Sequence, residues 1–356
     1  MSIFLFLLVL VLLYFGWVLT IRAGLNRLSC SRFFSRPAFF EGEEGELIEV
    51  IRNDRPIIIP WLRVESRISP YLRLGRQDNL HVSGEMYYCS LFTLMPYQQI
   101  RRRHRVKFLH RGAYDLGNAA LTSGDLLGAC KFLRSQNLSA PVLVYPRLLE
   151  QTELPLPVSR MLGQLVRQRQ LLTDPFLVRG IRPYTPGDPV RDIHWAATAR
   201  TGDVQVRIHD YTAKTRLLVV LNVQDQELQW NDYISEQDYP VTEDMIRLAA
   251  SVCVQGLRAG LSAGFAANMP LGDSKESTVL SPDEQIPEEE LLGAFARLTI
   301  HRTEKFPALL ERLRTYTGMD ILILSRYDSG SIRSAMDTLR KDGHTVTLHL
   351  MEGGSV

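Results

Sequence analysis

The sequence predicts a mixed fold class, α/β plus all-β, in three parts: an N-terminal transmembrane helix, a small β-sandwich and a doubly wound α/β domain. Three observations predict it: an uncharged apolar run over residues 1–21, short strand-like segments separated by turns as far as residue 147, and alternating strand and helix patterns after Arg216. A length of 356 residues, with 45% apolar and 22% charged residues, fits a folded protein of two domains.

The first 21 residues carry no charge and match the about 20 apolar residues that a helix needs to cross a bilayer. Positive charge follows only on the C-terminal side, in a basic juxtamembrane segment over residues 22–38 that contains Arg22, Arg27, Arg32 and Arg36. This asymmetry predicts a single-pass helix in the cell membrane, with the C-terminal part in the cytoplasm. A cleaved signal peptide is disfavoured, because a positive start and a small-residue cleavage site are missing.

The pattern of residues 39–147 predicts a β-sandwich-like domain. Segments such as ELIEVIRND and MYYCSLFTL have strand-like patterns, and turns at Ser83–Gly84, Arg111–Gly112 and Ser123–Gly124 separate them. Residues 148–182 follow as a linker with a helix, because a Pro-rich stretch precedes apolar residues at helical spacing.

Residues 183–356 predict the α/β domain. The run TRLLVVLNV is continuously apolar, as a buried parallel strand requires, and a helical pattern with Thr242 as N-cap and Gly260 as stop follows it. LSAGFAAN, MDILILS and HTVTLHLM predict further strands, with helices between them.

The segment from Tyr184 to Arg200 concentrates polar and aromatic residues around a predicted turn. Pro186 and Gly187 suit the central positions of a type II turn, and Asp188 is then a good N-cap for a short helix as far as about Ala199. The candidate partner-binding residues here are Tyr184, Gly187, Asp188, Arg191, His194, Trp195 and Arg200.

Three interpretations of this segment are open. It could be a docking surface, since arginine recognises carboxylate and phosphate groups. It could be a structural corner in which Asp188, Asp192 and Asp203 pair with Arg182, Arg191 and Arg200. It could also serve a hydrolytic enzyme that uses Asp188, Asp192 and His194, although no partnered nucleophile and no standard enzyme motif accompanies them.

The run PYTPGDPVRDIHWAATAR, with RGAYDLG and VYPR before it and LLVVL after it, resembles the bacterial membrane-anchored family named domain of unknown function 58. The resemblance implies a C-terminal domain similar to von Willebrand factor A domains. It also implies a protein partner, either a MoxR-type AAA+ ATPase or an envelope protein complex, and a role in the assembly of other proteins rather than catalysis.

Many A domains bind a divalent metal through a D-x-S-x-S sequence after the first buried strand, because magnesium prefers such oxygen ligands. This chain has Asn222, Gln224 and Gln226 at those positions. The substitutions predict that the metal site is lost and that no cofactor is bound. Asn222 and Gln224 are then expected to hydrogen-bond within the crevice or to a partner.

The basic cluster RRRHRVK, residues 101–107, lies in a strand-like stretch. Arg101, Arg103, Arg105 and Lys107 are expected on one face, with Arg102 and His104 on the other. The face could be a solvated surface, could be attracted to anionic lipid or could bind nucleic acid. The first third of the chain is basic and the rest is acidic, so we expect a protein partner and no nucleic acid.

Overall fold

The computed structural model describes residues 2–26, 28–75, 80–83, 87–124, 131–171, 173–211, 215–228 and 232–351. The chain divides into two compact units, Met1–Arg147 and Leu148–Val356. We call them the β unit and the α/β unit and describe each by itself.

The β unit begins with helix α1, Ser2–Asn26, over the predicted apolar segment. Among the described residues, no helix combines the length and the apolar character needed to cross a membrane. This finding contradicts the predicted single-pass transmembrane helix over residues 1–21 and corrects the fold class to a mixed α/β protein with many strands.

Strands make up the rest of the β unit and form three sheets. The first has the order β1-β3-β8-β5, the second β11-β10-β4-β7-β6 and the third β2-β12-β9. The strands are β1 Leu28–Phe34, β2 Ala38–Phe40, β3 Glu44–Asn53, β4 Ile59–Arg67, β5 Leu72–Leu74, β6 Leu80–Ser83, β7 Tyr87–Leu94, β8 Gln99–Phe108, β9 Gly112–Asp115, β10 Asn118–Gly124, β11 Lys131–Asn137 and β12 Pro141–Tyr145.

The first two sheets share an apolar core. Ile51 of β3 and Leu28 of β1 pack with Leu62 of β4 and Phe92 of β7 in one cluster of buried side chains. Buried and exposed residues alternate strictly along β1, as in a strand with one covered face. This strand lies within the predicted juxtamembrane segment over residues 22–38, so part of that basic stretch belongs to the folded unit.

The α/β unit contains seven strands and six α-helices among its described residues. The helices are α2 Leu156–Leu171, α3 Trp195–Thr201, α4 Tyr239–Arg258, α5 Glu288–Arg297, α6 Phe306–Arg312 and α7 Gly330–Lys341. The strands are β13 Thr173–Pro183, β14 Gln205–Tyr211, β15 Arg216–Leu221, β16 Ser262–Ala267, β17 Thr278–Leu280, β18 Asp320–Ser325 and β19 Thr345–Leu350. The stretch predicted as a linker, residues 148–182, therefore contains helix α2 and most of strand β13.

The central sheet of this unit has the order β17-β16-β15-β18-β19. Four strands are parallel, and only β17 at one edge is antiparallel. Alternate residues of β15 enter different cores: Leu217 and Val219 pack with α4, and Leu218 and Val220 pack with α6 and α7. Helices thus cover both faces of the sheet, and the carboxyl ends of its parallel strands meet at one edge.

Candidate functional site

The segment with the candidate partner-binding residues lies in a hairpin of the α/β unit. Strands β13 and β14 pair antiparallel, with Arg182 opposite Val206, and residues 184–204 connect them. We call residues 180–208 the arm. Its buried residues Ile193 and Val206 bridge to each other rather than joining the cores of the central sheet.

The predicted turn is present at the start of the connection. The Asp188 backbone N–H donates to the Thr185 carbonyl oxygen at 3.0 Å. Gly187 has φ +113°, a positive value as a type II turn requires at its third position. The Asp188 carboxylate closes the turn by accepting from the Thr185 N–H at 2.8 Å.

Asp188 is not the N-cap of a helix, contrary to the prediction. Its carboxylate accepts two hydrogen bonds from the Arg182 guanidinium, at 2.6 and 2.8 Å. The hydrogen bonds from Arg182 make the largest contribution, followed by the bond from the Thr185 N–H, and they lower the pKa of Asp188 to about 2. The charged pair therefore fixes the turn to strand β13.

The predicted helix as far as Ala199 is split in two. A 3₁₀ turn covers Val190–Asp192, and α3 begins at Trp195. His194 caps α3, because its Nδ1 accepts from the Ala197 N–H at 3.0 Å. The break arises because Ile193 bridges in extended form to Val206 and interrupts the helical run.

Several large side chains of this segment are exposed to solvent. Val190 is 70% exposed and Trp195 67%, and the Arg191 side chain is 85% exposed. Tyr184 is 41% exposed, and Arg200 is exposed too. Trp, Tyr and Arg are the residue types that most often dominate binding energy in protein interfaces.

The structural-corner interpretation is supported by two of the expected ion pairs, one close and one loose. Arg182 pairs with Asp188 at 2.6 Å, and the exposed Arg191 pairs with Asp192 at 3.8 Å between Nε and Oδ1. The hydrolytic interpretation gains no support from the geometry of these residues, because Asp188 is bound to Arg182 and Nδ1 of His194 caps helix α3. A general base must lie within hydrogen-bonding distance of the nucleophile or water from which it takes a proton.

The carboxyl edge of the central sheet holds Asn222 and Gln224, which are fully buried. Asn222 Nδ2 donates to Ser325 Oγ at 3.0 Å, and Asn222 Oδ1 accepts from the Gln224 N–H at 3.1 Å. Asn268, which directly follows strand β16, donates through Nδ2 to the same Oδ1 at 3.3 Å. Asn222 therefore ties the ends of three neighbouring strands together, and both amides lie out of direct reach of a partner.

Gln224 is likewise engaged, since its Oε1 accepts from the Phe306 N–H at 2.6 Å. Gln226, by contrast, is exposed. Beside this network, Arg326 pairs with Asp225 and, at 2.7 Å, with Asp238. Within the described ranges, no group of three or more His, Cys, Asp or Glu side chains is placed to hold a metal ion.

The basic strand β8 has the two faces that the sequence predicts. Arg101, Arg103, Arg105 and Lys107 are exposed, whereas His104 is fully buried. Arg102 lies on the inner side, where its guanidinium stacks 4.0 Å from the centre of the Phe92 ring. Glu46 lies 3.7 Å from Arg103 and partly neutralises the exposed face.

A buried polar network in the β unit escaped sequence analysis. The Glu49 carboxylate accepts from the Tyr88 hydroxyl at 2.8 Å and contacts His104 Nε2 at 3.0 Å. Arg32 Nη1 donates to Tyr88 at 3.1 Å and to Ser66 at 2.5 Å. Burial alone would raise the pKa of Glu49, but His104, Tyr88 and Arg32 together lower it. In the sequence, the sign of this network is that a charged residue, Arg32 or Glu49, stands at an inward-facing position of each of the strands β1 and β3.

One comparison with known proteins finds a match to a family model over part of the chain. Residues 180–274 match the family described as protein of unknown function DUF58. The matched region starts with the arm and runs through α4 and β16, so it contains PYTPGDPVRDIHWAATAR and LLVVL, whereas RGAYDLG and VYPR lie before it. No curated protein matches the chain.

Several solved structures of small β domains are similar to parts of the chain. The non-cellulosomal cohesin from Archaeoglobus fulgidus aligns at 9% identity and TM-score 0.23, covering 35% of this chain and 94% of that one. The CARDB domain of a Pyrococcus furiosus protein aligns at 15% identity and TM-score 0.22, covering 33% and 93%. The bacterial hydrophobin BslA aligns at 10% identity and TM-score 0.22, covering 34% and 97%. Likenesses this weak carry no argument about function.

Proposed function

We propose that this chain is a protein-interaction or assembly factor that docks a partner through the arm and catalyses no reaction of its own. The observation that carries the proposal is the exposure of Trp195 and Arg191 on a segment with a fixed backbone. A rigid anchor loses little conformational entropy on binding, so its contact area contributes more fully to affinity.

The fixed backbone has identifiable causes. The bidentate Arg182–Asp188 pair holds one end of the exposed segment, and the His194 N–H donates to the Gln205 carbonyl oxygen at 2.7 Å at the other. Within α3, the Thr198 hydroxyl accepts from the Gln205 N–H at 3.0 Å. These bonds support a surface that is already shaped before a partner arrives.

The partner we propose is a MoxR-type AAA+ ATPase. This part of the proposal rests on the resemblance to the DUF58 family, which the match over residues 180–274 supports. The arm exposes two large apolar side chains, Val190 and Trp195, and two cations, Arg191 and Arg200. A complementary surface would present an apolar pocket with carboxylates around it.

The test measures the affinity of the full chain for a purified MoxR-type ATPase by biolayer interferometry. We expect Trp195→Ala to weaken binding by about thirtyfold, the effect of losing an interface hot spot of about 2 kcal/mol. Arg191→Ala is expected to weaken it less, and more strongly at low salt than at high salt. Both variants should unfold at the wild-type temperature.

The matched control is Leu228→Ala. Leu228 is 85% exposed and lies in the loop after β15, at the carboxyl edge of the sheet. Binding lost in Leu228→Ala and kept in Trp195→Ala would place the contact at that edge instead of the arm. An ATPase that does not bind the wild-type chain at all would remove the proposed partner class.

A further inference from the structure

We propose a second binding site in the α/β unit, for an amphiphile with an aliphatic chain and an anionic head group, in a cleft between α2 and α4. The cleft has a volume of about 720 Å³ and is lined by α2, α4 and residues 148–151. Sites for small ligands commonly have volumes of about 300–1,000 Å³. The proposal is independent of docking by the arm.

The walls of the cleft favour an apolar ligand body. Leu148, Leu149, Leu162, Val166 and Val254 line it. The polar groups among them are already bonded to each other: the Leu149 N–H donates to Ser251 Oγ at 2.8 Å, and Gln255 Nε2 donates to the Leu149 carbonyl oxygen at 3.0 Å. Because these wall groups already have partners, a ligand chain in the cleft does not have to form hydrogen bonds with them. An aliphatic chain, which has no hydrogen-bonding groups, therefore fits this wall.

The charges around the cleft favour an anionic head. Arg167 and Arg258 line it, and the carboxylate of Glu150 is the one acidic group among the described residues of its lining. Arg258 is held by Glu288, at 2.6 and 3.1 Å, whereas Arg167 is exposed on α2. A carboxylate head at this rim would meet a guanidinium that is free to turn toward it, and a cationic head would be repelled.

Gly163 is the residue that leaves the cleft open. It lies inside helix α2 and lines the cleft, and a Cβ built on it meets no atom within 4 Å. Glycine weakens a helix interior relative to alanine, and the helical backbone here has no conformation that requires it. A larger side chain at this position would occupy space that the ligand chain needs.

The experiment titrates dodecanoate into the full chain by isothermal calorimetry, below its critical micelle concentration. We expect saturable binding of one molecule per chain. Gly163→Trp should weaken the affinity by about tenfold or more, because the indole fills part of the cleft, and Gly163→Ala should leave it within about twofold. Dodecanol and dodecyltrimethylammonium test the head group, and Arg167→Glu should weaken dodecanoate binding only.

Three outcomes would overturn the proposal. Dodecanoate that does not bind saturably removes the site. Binding that is unchanged in Gly163→Trp places the ligand elsewhere, for example on the exposed apolar side chains of α1. Dodecanol or the ammonium compound binding as tightly as dodecanoate removes the anionic head group from the ligand class.

Discussion

Gly187 is the residue on which the turn of the arm depends. Its φ of +113° is a conformation that side-chain-bearing residues rarely adopt, and no neighbour lies within 4 Å of a Cβ built there. The cost of a substitution is therefore backbone strain alone. We expect Gly187→Val to lower the free energy of unfolding by about 1–3 kcal/mol, measured by urea denaturation of the full chain. The free energy of unfolding of Gly187→Ala should lie between those of the wild type and Gly187→Val. A Gly187→Val variant as stable as the wild type would refute the turn assignment.

Arg191 separates the docking interpretation from the structural corner. The sequence left both open, because Asp188 and Asp192 are both near it in the chain. In the structure, Asp188 pairs with Arg182, and the Arg191 side chain is 85% exposed. We expect Arg191→Ala to change the free energy of unfolding by no more than about 0.5 kcal/mol, as for most surface substitutions. Arg182→Ala, in the same assay, should destabilise the chain more; the reverse order would restore Arg191 as a structural residue.

The Asp188 carboxyl has a measurable signature in its titration. Hydrogen bonds from Arg182 and the Thr185 backbone hold its pKa at about 2, below the about 3.9 of an unfolded aspartate. Because the folded pKa is depressed, the stability that this carboxylate contributes is present above about pH 4 and is lost as the pH falls through about 2. Carboxyl-detected NMR should report that pKa, and Arg182→Gln should move it up toward the unfolded value. A wild-type pKa near 4 would contradict the bidentate pair.

At the level of single elements, the polar network of the β unit links two sheets. Glu49 on β3 and His104 on β8 contact each other, and Tyr88 on β7 connects Glu49 to Arg32 on β1. Glu49→Gln removes the charge that compensates the buried guanidinium. We expect a loss of about 3–5 kcal/mol, the cost of breaking a buried charged pair from one side.

Hydrogen exchange followed by mass spectrometry would locate that loss. Amides of β3 and β8 should exchange faster in Glu49→Gln, while those of β15 and β18 in the α/β unit keep their protection. The exposed variant Glu46→Gln is the matched control, because Glu46 lies on the outer face of the same strand, 3.7 Å from Arg103. Equal effects of the two variants would show that the network contributes nothing beyond a surface charge.

Elements with a strong apolar pattern are predictable from the sequence, and their ends are less so. The runs TRLLVVLNV and MDILILS form β15 and β18, because only a strand buried on both faces tolerates so many apolar residues in succession. Helix α4, however, begins at Tyr239 and not after Thr242, whose hydroxyl instead bonds back to the Asp238 carbonyl oxygen within the first turn. Pro240 at the helix start was the signal that outweighed the N-cap preference of threonine.

The candidate site was predictable only where its geometry is local. The turn at Gly187 follows from four consecutive residues, whereas the bridge from Ile193 to Val206 that splits the helix depends on a strand further along the chain. Asn222 and Gln224 show the same limit. Their residue types indicated a lost metal site, but their burial depends on Asn268 and Ser325 at the ends of other strands. Pairings between distant segments are what one sequence does not specify.

At the scale of the whole molecule, each unit carries its own core, and this predicts that the α/β unit folds alone. Over the described parts of the chain, its clusters of buried side chains contain residues from Leu154 onward, and those of the β unit contain residues before Arg147. A domain with a complete core can in principle fold independently. We expect residues 148–356, expressed alone, to unfold cooperatively in urea and to bind the partner ATPase with the affinity of the full chain.

The control is a fragment starting at Thr173, which lacks helix α2 and with it Val158, Leu162 and Leu165 of the core. That fragment should be clearly less stable, because each lost side chain exposes apolar surface worth about 1.5–3 kcal/mol. If residues 148–356 fail to fold, residues 1–147 are needed to complete the α/β unit.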